Sequence, residues 1–197
     1  MSDKGRNRRS HAPLIRWFMK TGGLACALFF SLGSHSNAEQ PADYTVKAAY
    51  IYSFLKFIDW PETSLAKDGS NLTICSIGGS PLNYAVKALN GRTIQKRALD
   101  VREVHASDDL SSCNVLVSGG VRSDQTVSLF KRIDQQPILT VGESPNFARD
   151  LGEIGFTIVD DRVKLEINLD RAQNKNIKLS AQLLEVAERV YRGGSQP

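Results

Sequence analysis

From residue 43 to residue 191 the chain alternates short apolar runs with polar stretches punctuated by glycine or proline, a pattern of strands and helices in turn. The first run, KAAYIYSFLKFIDWP at 47–61, carries Tyr50, Tyr52, Phe54, Phe57 and Trp60, with Tyr44 just before it. It is too short to span a bilayer and too aromatic for a solvated helix. A buried helix is predicted, capped by Asp43, running to about Asp59 and stopped by Pro61. Its outer part, around Lys56 and Asp59, is a candidate for partner contact.

The run LTICSI at 72–77 is β-branched and apolar and reads as a buried strand. Gly78-Gly79 turns the chain, and Ser80-Pro81 supplies an N-cap and a first helical residue for a helix ending near Asn90-Gly91. Residues 93–104 hold one or two strands, and NVLVS at 114–118 is a further buried strand. Gly119-Gly120 leads into a helix over 123–133, followed by a strand at 137–141. Residues 154–159 and 162–169 form an antiparallel hairpin around Asp160-Asp161. Asp170 is expected to open a long helix to about Tyr191, with Ile177, Leu183, Leu184, Ala187, Val190 and Tyr191 facing inward. The fold class is α/β: a single-domain sandwich with a mixed, partly parallel sheet flanked by helices.

Ahead of this pattern, residues 1–38 have the form of a signal peptide. Lys4, Arg6, Arg8, Arg9, Arg16 and Lys20 make a basic region, LACALFFSL at 24–32 an apolar core, and Ser36-Asn37-Ala38 a small-x-Ala site for cleavage before Glu39. The core is well short of the ~20 residues of a spanning helix, which favours cleavage over an uncleaved anchor. Residues 39–197 then form one globular domain, with unstructured ends expected at 39–42 and 193–197. They carry 19 Lys+Arg against 20 Asp+Glu, so the +4 charge of the whole chain belongs to the leader and gives no argument for nucleic-acid binding.

The same subtraction leaves one histidine, His105, and two cysteines, Cys75 and Cys113. No spaced cluster of metal ligands remains, and no metal or cofactor is expected. An even cysteine pair in an oxidising compartment favours a disulfide over two buried thiols. His105 sits in VREVHASDD, a polar turn, and adjacent Ser107, Asp108 and Asp109 do not present a triad, so it reads as a surface histidine and no catalytic residue is assigned.

Two strand–glycine–helix turns bear on binding. Gly78, Gly79 and Ser80, with Ser118, Gly119, Gly120 and Arg122, would frame a small-ligand pocket if both turns lie at one end of the sheet. The alternative is two ordinary turns, since neither matches a complete nucleotide-binding signature. Level turns sit awkwardly with the disulfide: Cys75 lies three residues before its turn and Cys113 six before its own. That is an offset of about 10 Å along a strand, against the ~7 Å limit on Cα separation. Either the strands are staggered or Cys113 precedes its strand in a bent connection. Charged runs containing Arg97 and Arg102 read as solvated faces or, alternatively, as partner-binding surface.

Taken in order, KAAYIYSFLKFIDWP, LTICSIGGSPL, Gly91-Arg92, SSCNVLVSG, PILTVGESPNFARDLGEIGF and VKLEINLDRAQNKNIKLSAQLLEVAERV resemble the YfiR-like periplasmic regulators. The resemblance implies an exported, non-enzymatic protein that binds the periplasmic sensor part of an inner-membrane diguanylate cyclase and holds it inactive. It also implies an outer-membrane lipoprotein that sequesters the repressor, releasing cyclic di-GMP synthesis and biofilm growth. Other sensor proteins are possible partners, a homodimer is possible, and no membrane insertion is implied after cleavage. Cys75 and Cys113 match positions expected to pair in the family, whereas the second cysteine pair of some members has no counterpart here. The other readings are a periplasmic small-ligand sensor or solute-binding module using the glycine turns and, more remotely, an exported hydrolase.

Overall fold

The computed structural model describes residues 41–65, 71–120 and 123–193; the expected signal peptide, Arg122 and the last four residues lie outside them. Helix α1 spans Pro41–Phe54 and is followed by a single 3-10 turn, Leu55–Phe57, and strand β1, Ile58–Asp59. Ala48, Ile51 and Leu55 are buried at the spacing of one helical face continued into the 3-10 turn, and Ile58 of β1 is buried in the same core cluster as Ile51 and Leu55. Asp43 is not the cap: the helix already begins at Pro41, and Asp43 lies in its first turn, where a negative charge suits the helix dipole. Nor does the helix reach Asp59. The chain unwinds because Ile58 and Asp59 pair antiparallel with Leu179 and Lys178, and Phe57 O accepts from Ser180 N–H at 3.0 Å.

The next elements follow the sequence pattern closely: β2 Leu72–Ile77, α2 Pro81–Lys87, β3 Thr93–Ile94, β4 Arg97–Glu103, β5 Val115–Ser118, α3 Asp124–Arg132 and β6 Leu139–Gly142. After a short helix α4, Phe147–Asp150, come β7 Ile154–Val159 and β8 Arg162–Asn168, the expected hairpin. The long C-terminal helix is absent. In its place stand α5 Leu169–Asn174, β9 Lys178–Leu179, α6 Ala181–Glu185 and β10 Arg189–Tyr191. Asn176 adopts a left-handed conformation (φ 57°) that ends α5, and Ser180 caps α6 by accepting from Leu183 N–H. The freed segments are claimed by tertiary pairing, β9 with β1 and β10 with β8.

The main sheet has eight strands in the order β10-β8-β7-β6-β5-β2-β4-β3. Strands β4, β2, β5, β6 and β7 run parallel; β8 is antiparallel to β7 and β3 to β4. The central strands β2, β5 and β6 are buried on both faces and are accordingly continuous apolar runs. On one face Ile74, Val115, Val117 and Val141 pack with residues of α1 and α2, including Ile51, Leu82 and Val86. On the other, Cys75 and Leu116 pack with Leu129, Phe130 and Phe147 of α3 and α4.

Cys75 and Cys113 form a disulfide with Cα atoms 5.8 Å apart. β2 and β5 are not staggered: Ile77 lies opposite Ser118, so the two glycine turns are level. Cys113 instead precedes β5 in a bent connection, its N–H bonded to Leu110 O at 2.8 Å, which brings it beside Cys75. Level turns and the disulfide therefore coexist. The bridge spans 38 residues, and tying a loop of that length contributes about 4 kcal/mol in the chain-entropy model.

Candidate functional site

The chain leaves β2 toward β4 on one side and returns to β5 on the other. The gap between β2 and β5 is thus a topological switch point, the place where open α/β sheets form ligand crevices beyond the carboxyl ends of their strands. Both glycine turns stand there. Gly78 (φ 120°) approaches the carbonyl of Gly119 so closely that a Cβ would collide with it, and a Cβ on Gly119 would strike the Ser80 hydroxyl and the Asn83 side chain. Asn83 knits the turn: its carbonyl accepts from Ser80 N–H at 2.8 Å, and its amide donates to Ser76 Oγ and to Ile77 O.

An open crevice of about 1020 Å³ lies over these turns, lined by Gly78, Gly79, Ser118, Gly119 and Gly120. Its far wall comes from residues that the sequence does not bring near: His105, Ser107 and Arg132. Arg132 fixes that wall by donating to Ala106 O at 2.7 Å and Asp108 O at 3.0 Å. His105 is exposed on the rim, 3.7 Å from Asp108. Nearby, the Ser111 amide and hydroxyl donate to Asp109 and hold its carboxyl below the usual carboxylate range.

Ser80 does not line the crevice. Its hydroxyl points to Glu143, just after β6, and donates to Oε1 at 3.0 Å. The same oxygen accepts from Gly120 N–H at 3.1 Å, while Oε2 meets Lys47 Nζ of α1 at 2.9 Å. This node, buried at Lys47 and nearly so at Glu143, ties α1 to both turns from beneath. Glu143 was missed in the sequence reading, although its place at the carboxyl end of a central strand, level with both turns, was a usable signal.

The four partner-contact candidates do not form one surface. Lys56 and Asp59 are exposed in the 3-10 turn after α1 and on β1, and Arg97 opens β4 opposite Ile94 of the adjoining hairpin strand. Strand alternation puts Arg102 on the other sheet face, where it pairs with Asp100 at 2.5 Å. Its neighbour Glu103 pairs with Lys87 at 2.8 Å, and that hydrogen bond holds the Glu103 carboxyl below its usual range. Among the described residues no group of three His, Cys, Asp or Glu side chains is placed to hold a metal ion, and no helix is long and apolar enough to cross a membrane.

A comparison with curated proteins returned no match. Residues 44–188 match the YfiR/HmsC-like family, a span that runs from α1 to the residue before β10 and takes in the disulfide, both glycine turns and the Lys47–Glu143 node. The chain belongs to the YfiR/HmsC-like family.

Proposed function

We propose that this protein is an exported, non-enzymatic regulator, directed to the periplasm by residues 1–38, that binds the periplasmic sensor part of an inner-membrane signalling protein and holds it inactive. The partner on this reading is a diguanylate cyclase, so the protein lowers cyclic di-GMP and restrains biofilm growth, and an outer-membrane lipoprotein relieves the repression by sequestering it. Family membership over residues 44–188 is the observation that carries this reading. The physical requirement is a difference in affinity: the repressor must bind the inactive state of the sensor more tightly than the active one, since equal binding shifts nothing. Cross-linking in intact cells followed by purification from solubilised membranes tests it. Recovery of a cyclase is the expected result, and recovery of no membrane signalling protein would contradict it.

The crevice favours a second reading, a periplasmic sensor of a small ligand. Two level glycine turns at the switch point, with about 1020 Å³ over them, support it. A ligand bound only by the native state raises the unfolding temperature. Thermal scans with nucleotides and amino acids therefore separate the two, and the absence of any shift leaves repression by contact alone.

A further inference from the structure

The tip of the β3–β4 hairpin is built from Gln95 and Lys96, both in the left-handed region, at φ 50° and 67°. A two-residue turn of this kind favours asparagine and glycine, because a Cβ is disfavoured at both positions. Gln95 is explained by its side chain, whose amide donates to Lys56 O at 3.1 Å and Ile58 O at 3.2 Å and fastens the tip to the 3-10 turn and β1 that follow α1. Lys96 is exposed, and among the described residues it has no hydrogen bond or ion pair that would account for it.

Two neighbouring cations, Lys56 and Arg92, share that property and flank one aromatic ring. Tyr52 of α1 donates its hydroxyl to Thr93 O at 3.1 Å, which fixes the ring against the hairpin. Lys56 Nζ lies 4.5 Å from the ring centroid and the Arg92 guanidinium 5.3 Å from it. Two cations on one ring repel each other, and among the described residues neither has a carboxylate within ion-pair distance. Phe57, 39 % exposed, follows Lys56 directly. One corner of the molecule thus gathers three cations that no carboxylate among the described residues neutralises, an oriented tyrosine and an exposed phenylalanine, in a chain whose residues 39–197 are slightly acidic as a whole.

We propose that this corner, Tyr52, Lys56, Phe57, Arg92 and Lys96, is the docking surface for an acidic segment of a protein partner; as a contact with the regulated membrane protein it rests on the repressor reading above. Aromatic and arginine side chains are the groups enriched in protein interfaces. Charge complementarity selects Asp- or Glu-rich sequence as the occupant. An anionic lipid surface fits less well, because lipid-binding basic clusters hold about 4–8 cations. The left-handed Lys96 is then a backbone cost retained for the position of its charge.

The test uses the purified exported protein and a fluorescein-labelled hexaglutamate peptide followed by anisotropy. Wild type is expected to bind the peptide, more weakly as salt rises. Lys96→Gly should weaken binding about threefold and the Lys56→Ala/Arg92→Ala pair about tenfold. Lys96→Gly should also unfold at the same or a higher temperature than wild type, because glycine accepts the turn conformation. No peptide binding, unchanged binding in both variants, or sedimentation of wild type with phosphatidylglycerol vesicles in place of peptide binding would overturn the proposal. Membrane cross-linking separates it from the repressor reading. Variants that lose the peptide but retain the full membrane partner refute docking at this corner and leave repression standing. Peptide binding through Lys96 in a protein that recovers no membrane partner supports the corner and refutes repression.

Discussion

Two buried lysine–glutamate pairs occupy different parts of the domain and have different partners. Lys175 and Glu153, 2.8 Å apart, are both almost wholly buried. Glu153 Oε2 accepts from the Thr140 amide and hydroxyl at 2.7 Å each, and Lys175 donates to Ile138 O at 3.0 Å. Glu153 Oε1 has only the lysine charge beside it, an electrostatic contact without hydrogen-bond alignment. Every partner of this pair belongs to the β6–β7 and α5 region, so it staples the core to the C-terminal segment. Lys47 and Glu143 instead reach Ser80 and Gly120, backbone-defining residues of the two turns. The first pair holds the fold, and the second holds the shape of a surface. The desolvation cost of burying either is offset only while both members are present.

Breaking the first pair should have the largest effect. Glu153→Ala leaves Lys175 charged in the core and is expected to cost about 4 kcal/mol in urea unfolding. Replacing both residues by methionine should recover most of that loss. If the double variant is as unstable as the single one, the pair is not the unit described. Lys47→Met should cost less, about 2 kcal/mol, because Glu143 keeps its bonds to Ser80 and Gly120 and some solvent. Its signature is local: amide exchange should quicken at Ser80 and Gly120 and stay unchanged in β8. Uniform quickening would erase the distinction between the two pairs.

Gly119→Ala attacks the same turns without touching charge. The new methyl group meets the Ser80 hydroxyl and the Asn83 side chain, and overpacking of this kind costs about 1–3 kcal/mol. Thermal unfolding should show the loss, and an unchanged unfolding temperature would mean that the turns have room for the methyl group. The smallest effect belongs to the exposed Lys87–Glu103 pair. Lys87 holds the Glu103 carboxyl below its usual range, so its contribution is present above the unfolded-state pKa and fades as pH falls through the folded one. Stability of Glu103→Gln and wild type should therefore converge in acid and at high salt. A difference that persists there would mean the pair is not simply a surface ion pair.

The α/β architecture was readable because β2, β5 and β6 are continuous apolar runs, and β2 and β5 end in Gly-Gly turns, signals that lie within a few residues of each other. The segment after Asn168 was misread for the opposite reason. Its apolar spacing fits one long helix, but Ile58 and Glu166 recruit Leu179 and Arg189 into strands from far away in sequence. The same long-range pairing cut α1 short at Phe54. At the candidate crevice the glycines were legible as residue types. Arg132 and His105 were not legible as its far wall, because only the fold brings them to that end; Glu143, outside the crevice, was overlooked despite its place directly after an apolar strand run. The pairing of Tyr52 with Arg92 was equally hidden, since it depends on the hairpin tip folding back on α1.

Repression of a membrane cyclase, as proposed above, is read out by the intracellular level of cyclic di-GMP. Deleting the gene should raise the nucleotide, re-expressing the exported protein should lower it again, and a version lacking residues 1–38 should not. A level that stays the same in all three strains would contradict the account.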